Sequence, residues 1–344
     1  MKRSPFALTW LLLCAFASGG FAQESSSKTQ DAPAKGEAPE AETKAKAERP
    51  ADLFIRIRRD EKKRPLALET SVLRMEKSQR WPGAVVDLIG ALHIGEKSYY
   101  EALNKKFSEY DVVLYEVVKP ENADVPRPAD RPGETSPISQ LQTGMKDVLD
   151  LEFQLDHIDY TKRNLVHADM TPEELAEAFR EEFSKSAKPS VQGFLDSLAT
   201  TLGGGSADQQ ANASAMNIRL MLALASSDRA RRVKIIFADQ LIRMEEDMKQ
   251  LGGVLSGALI DQRNDKCLKV LERELQGGKK KVGIFYGAGH FPDMEKRLRE
   301  DYGFARGSAE WISAWDLTRS SAPAAAKSAA PKSGAPKNAP ASSK

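Results

Sequence analysis

Two histidines stand in matching surroundings. Gly90-Ala91-Leu92-His93 follows the apolar run Val85 to Ile89, and Gly287-Ala288-Gly289-His290 follows the run Lys281 to Tyr286. Each segment reads as strand, G-A-x-H, helix. Ligands of open α/β sheets collect outside the carboxyl ends of the strands, so both imidazoles are expected at a binding edge. The glycines Gly90 and Gly287 let the chain turn sharply and bring backbone close to a ligand. A nearby helix N-terminus disfavours imidazolium, and neutral imidazole is the form that binds metal. Glu116 ends a third apolar run, Asp111 to Tyr115. A carboxylate there is costly unless it is paired or bound to an ion. Two histidines and one carboxylate are a common catalytic metal set with positions open for water and substrate. The ion, Mn, Co or Zn, would acidify bound water and polarise a carbonyl. Taken singly, each histidine reads equally as a loop residue satisfied by hydrogen bonds.

A third piece lies on a late helix. Ile260, Asn264, Cys267 and Leu271 share one face, with Arg263 at its edge. Asn264 and Arg263 must find partners if buried. Arg263 suits a clamp on Glu116, a site for a substrate carboxylate or oxyanion, or a plain salt bridge between helix and sheet. Glu96, three residues after His93, reads as a favourable charge in a first helical turn or as a general base. His157 and His167 lie beside Asp156, Asp159 and Asp169 and read mainly as loop residues before a helix. No H-E-x-x-H, G-x-S-x-G, P-loop or dinucleotide fingerprint is present, which argues against the commoner hydrolase, kinase and dehydrogenase chemistries.

The elements that must position these groups follow from periodicity. Leu53 to Arg59 alternates apolar and charged residues and predicts a half-buried strand. Leu66 to Met75 predicts another. Between the strands Val85–Ile89 and Asp111–Val118, Glu96 to Tyr110 is helical, with Tyr99, Leu103, Phe107 and Tyr110 on one face. Strand, helix, strand in succession favours a parallel sheet. Residues 119–138 predict a loop, and about 140–275 a mainly helical section. Within it, Thr171-Pro172-Glu173-Glu174 is a capping box, with Met170 and Leu175 as a hydrophobic staple. Gly203 to Gly205 marks a break. After Asp228 a long helix carries Val233, Phe237, Leu241, Met244, Met248 and Leu251 as a packing stripe. A short helix runs from Phe291 to about Glu300, and Trp311 to Leu317 closes the sheet. The fold class is α/β: a central, mostly parallel sheet from both ends of the chain, with a large helical middle.

Composition bounds the rest. Lys2 and Arg3 precede an apolar run from Phe6 to Phe16, then Gly20-Phe21-Ala22. This predicts an export signal over 1–22, cleaved before Gln23; a retained anchor is the rival, and the run is short for a bilayer. Residues 23–50 and 320–344 carry almost no large apolar side chain and are expected to be a disordered linker and tail. One domain of 51–319 remains. No other segment predicts a membrane span. The net charge of +2 points to no nucleic acid. Cys267 is the only cysteine left after signal removal, so no intrachain disulfide can form.

These residues together resemble the TraB/GumN/TIKI family over roughly 53–317. The matching pieces are Gly90 to His93 with its helix, Glu116, Arg263-Asn264, and Gly287 to His290 followed by Phe291-Pro292. The chain departs at Gln262, where the family often has an acidic residue, and at Ala91, where Thr is common. Both changes bear on hydrogen bonding around the histidines. The resemblance implies a divalent-metal hydrolase of peptidase type, with His93, Glu116 and His290 as ligands or catalytic groups and Arg263 and Asn264 in support. The expected substrate is a peptide or protein in the periplasm or outside the cell. Haem-binding relatives make a non-catalytic peptide- or haem-binding envelope protein the alternative.

Overall fold

Apolar runs too short for helices form the centre of the molecule. The computed structural model describes residues 54–125, 149, 151–185, 216, 218–250 and 260–318. The expected signal, linker, triple-glycine break and tail, and most of the 119–138 loop, lie outside the described residues.

The first strands are β1 (Ile55–Arg59), β2 (Pro65–Glu76) and β3 (Val85–Ala91), followed by the two-residue β4 (Ile94–Gly95). Helix α1 (Lys97–Phe107) leads to β5 (Val112–Tyr115). The middle section holds β6 (Glu152–Phe153), the single-turn α2 (Gln154–His157), β7 (Leu165–His167), α3 (Pro172–Lys185), α4 (Arg229–Gln250) and α5 (Gln262–Gln276). The chain returns through β8 (Lys281–Gly287), a 3-10 turn at Ala288–His290, α6 (Phe291–Glu300) and β9 (Ala305–Asp316).

The protein is α/β with a mixed sheet in the order β1-β2-β3-β8-β5-β7, and β9 pairs with β2. The strands that carry the candidate site, β3, β8, β5 and β7, are parallel. The antiparallel part is β1, β2 and β9, with β2 joining β3. The strand–helix–strand unit β3-α1-β5 therefore brackets β8. Gly90 lies opposite Tyr286 and Ala91 opposite Gly287, so the two G-A-x-H segments leave the sheet side by side.

Leu88, Ile89, Val113, Leu114, Ile284 and Phe285 are wholly buried, each worth about 1.5–3 kcal/mol of transfer free energy. Phe285 meets Phe107 of α1 edge to face at 4.9 Å, while its neighbour Tyr286 faces the buried Cys267 of α5. Successive strand side chains point to opposite faces, so α1 and α5 cover the two sides of the sheet. Phe291 of α6 packs on Phe54 at 5.4 Å.

The middle section is mainly helical where it is described, as expected, but β7 extends the main sheet; three residues are too few for periodicity to reveal. The capping box forms as read: Thr171 N–H donates to Glu174 Oε2 at 2.8 Å and Glu174 N–H to Thr171 Oγ1 at 3.1 Å. Strand β9 begins earlier than its apolar end suggests, because most of its first half is exposed.

The motif glycines serve different ends. A Cβ on Gly90 would come within 3.0 Å of Thr70 Cβ and 3.3 Å of Ser71 O, so β2 packs directly on its backbone. A Cβ on Gly287 would meet Glu116 Oε2 at 3.4 Å, an ordinary contact, and its φ of −56° suits any residue. Gly90→Ala should therefore cost about 1–3 kcal/mol by overpacking, and Gly287→Ala within about 0.5 kcal/mol. Urea denaturation of the two variants tests this; equal losses would contradict the assignment.

Candidate active site

The site begins where β5 stops. Glu116 continues the ladder for one more bond, its N–H reaching Phe285 O at 3.2 Å. Its carboxylate then turns to the next strand: Oε2 accepts from Gly287 N–H at 2.6 Å. Oε1 accepts from Arg263 Nη2 at 2.6 Å, and His290 Nε2 lies 3.5 Å from it. Burial alone would raise this carboxyl, but Arg263, His290 and His93 outweigh it and hold it well below the ordinary 4.5.

Arg263 spans two carboxylates. Besides Glu116, it gives Nε to Asp169 Oδ1 at 2.9 Å and Nη2 to Asp169 Oδ2 at 2.7 Å. Burial opposes its charge, yet Asp169 and Glu116 keep the guanidinium more firmly protonated than usual. Asp169 is wholly buried and also accepts from Met170 N–H at 2.8 Å. The spacing of sequence motifs did not mark Asp169 as Arg263's partner, because the pair joins β7's trailing loop to a distant helix.

Asn264, the next residue on α5, serves His290. Its Nδ2 donates to His290 O at 3.1 Å and to Asp293 Oδ2 at 2.8 Å. Its Oδ1 is left to accept from His290 Nδ1 at 2.7 Å. The Nδ1 proton is thereby fixed, and Nε2 faces Glu116. His290 is 4% exposed.

His93 lies on the other side of Glu116 and is half-buried. Burial, with Arg263 and His290 nearby, holds its imidazole below the ordinary 6.5, against the opposing pull of Glu116 and Gln154. It is the neutral ring that the sequence predicted. Gln154 N–H donates to His93 O at 2.9 Å.

The two other histidines are structural. His157 stacks on Tyr100 at 5.9 Å and lies 3.2 Å from Glu152. His167 Nε2 bonds Val117 O at 2.7 Å. Glu96 is no free base: Oε1 accepts from Lys234 Nζ at 3.0 Å and from Asp316 N–H at 2.9 Å, tying α1 to α4 and β9.

Stability should fall on acidification in two stages. His93 titrates lower in the folded chain than the ordinary 6.5, so below that pH the unfolded chain binds the proton first and stability drops. Glu116 does the same below the ordinary 4.5. Urea midpoints measured from pH 8 to pH 4 should decline along that path; a flat profile would contradict it.

Compared with known proteins, the chain matches no family model, no curated protein and no solved structure.

Proposed function

We propose that this chain is an exported hydrolase of the peptidase type, of the kind its TraB/GumN/TIKI resemblance implies. One observation carries the reading: His93, Glu116 and His290 converge at the carboxyl ends of three neighbouring parallel strands, each through a different segment of chain. The signal-like N-terminus supports export, which places peptide or protein substrates in the periplasm or outside the cell. Among the described residues no helix is long and apolar enough to cross a membrane.

His290 suits a general base. Its Nδ1–H is held by Asn264, so a proton taken from water arrives at Nε2, 3.5 Å from Glu116 Oε1. The carboxylate then stabilises the imidazolium, as the third member of a nucleophile–base–orienter set does. His93, neutral and more accessible, suits donation to the carbonyl oxygen as it gains charge.

The resemblance also implies a divalent ion, Mn, Co or Zn, on His93, Glu116 and His290. The ligand types suit such an ion; their arrangement does not. Both Glu116 oxygens already carry a donor, so an ion would displace Arg263 or the Gly287 N–H. Among the described residues no three His, Cys, Asp or Glu side chains are grouped to hold a metal. No step is therefore routed through the ion.

The saturation of Glu116 favours one second reading, a peptide- or haem-binding envelope protein on the same scaffold. Cleavage of a peptide library by the purified protein, with Mn, Co and Zn content measured alongside and His290→Ala as control, separates the two. Cleavage lost in the variant supports the hydrolase. A folded protein that binds peptide or haem and never cleaves supports the alternative.

A further inference from the structure

Each motif histidine has a side-chain amide beside it, and the two amides are held alike. Asn264 spends its nitrogen on His290 O and Asp293, and its oxygen meets His290 Nδ1 at 2.7 Å. Gln154 spends its nitrogen on Tyr160 Oη at 2.7 Å. It is also tied to the histidine it neighbours through a backbone carbonyl, its own N–H reaching His93 O at 2.9 Å. Its Oε1 is buried and makes no hydrogen bond. A buried carbonyl left unpaired is costly, and the ring beside this one is an imidazole with an N–H to give.

We propose that Gln154 is the positioning residue of His93, accepting a ring N–H and so fixing its tautomer as Asn264 fixes that of His290. The two G-A-x-H segments would then match in their supports as well as in sequence. Each imidazole has one nitrogen spent on an amide oxygen, and the other is left for chemistry. Tyr160 belongs to the device: its phenol, packed on Tyr115 at 4.9 Å, anchors the amide nitrogen and so orients the oxygen. Burial raises the Tyr160 phenol above its ordinary value, so it keeps its proton. The inference deepens the hydrolase reading and rests on it for its effect on rate; the tautomer itself does not depend on that reading.

The test is ring-nitrogen NMR on the full chain with labelled histidine, at a pH where His93 is neutral. The chain has four histidines, so assignment by single substitution is direct. Wild type and Gln154→Glu, which keeps an acceptor oxygen, should show His93 in one tautomer. Gln154→Met, of similar shape without an acceptor, should show the mixed tautomers of a free ring, with His290 unchanged as the control on folding. Tyr160→Phe, a milder change, should mix the His93 tautomers as well. Peptide cleavage should fall about 10–100-fold in Gln154→Met and recover in Gln154→Glu. A His93 tautomer untouched by Gln154→Met and Tyr160→Phe overturns the proposal. A wild type that cleaves nothing counts against the hydrolase, while the tautomer still decides for or against Gln154.

Discussion

Replacing Arg263 with leucine should lower stability by about 3–5 kcal/mol, the usual loss when one partner of a buried ion pair is removed. The size follows from what is left behind. Asp169 keeps only Met170 N–H, in a setting with no exposure. Glu116 keeps Gly287 N–H and the nearby His290. Arg263→Lys should recover little, since an ammonium cannot offer Nε to one carboxylate and Nη2 to both. Removing Asp169 as well, in Arg263→Leu with Asp169→Leu, should restore part of the loss, because coupled neighbours are not additive. Urea denaturation at pH 7 reads all three. A loss under about 1 kcal/mol in Arg263→Leu would mean that the bridge does not hold the site together.

The second large effect falls on activity. His93→Ala should slow peptide cleavage by about 10²–10⁴-fold, the range for a lost acid–base or hydrogen-bonding group, with little change in melting temperature. His290→Ala should slow it comparably, and should also cost about 1–3 kcal/mol because Asn264 Oδ1 loses its donor inside the fold. Rates on a peptide library and melting curves of both variants check this. Wild-type rates in either one would remove that histidine from the mechanism.

Much of this geometry was legible in the sequence. The runs at 85–89 and 281–286 were apolar on both faces, as buried parallel strands are, and the motif after each placed a histidine at the sheet edge. Neighbouring positions on a helix point about 100° apart, and that small divergence lets Arg263 reach Glu116 while Asn264 reaches His290. Asp169 and Gln154 could not be read in the same way. Their partners lie far along the chain, and neither residue belongs to a periodic pattern. The need for glycine at 90 was also hidden, since it comes from Thr70 on an antiparallel strand. Glu96 looked like a reactive group because the lysine that neutralises it, Lys234, lies on a distant helix.

The position of β8 bears on how the chain acquires its shape. It lies between β3 and β5, yet it is made after almost everything else in the sheet. A ribosome that has released residues up to 280 has produced two parallel strands that cannot pair with each other. Their edges and apolar faces stay open until the last stretch emerges. Closure is a late, long-range event, so a chain cut short before β8 should never fold. A chain threaded through a narrow channel from its N-terminus would stay unfolded, as passage requires, until its final segment joined it.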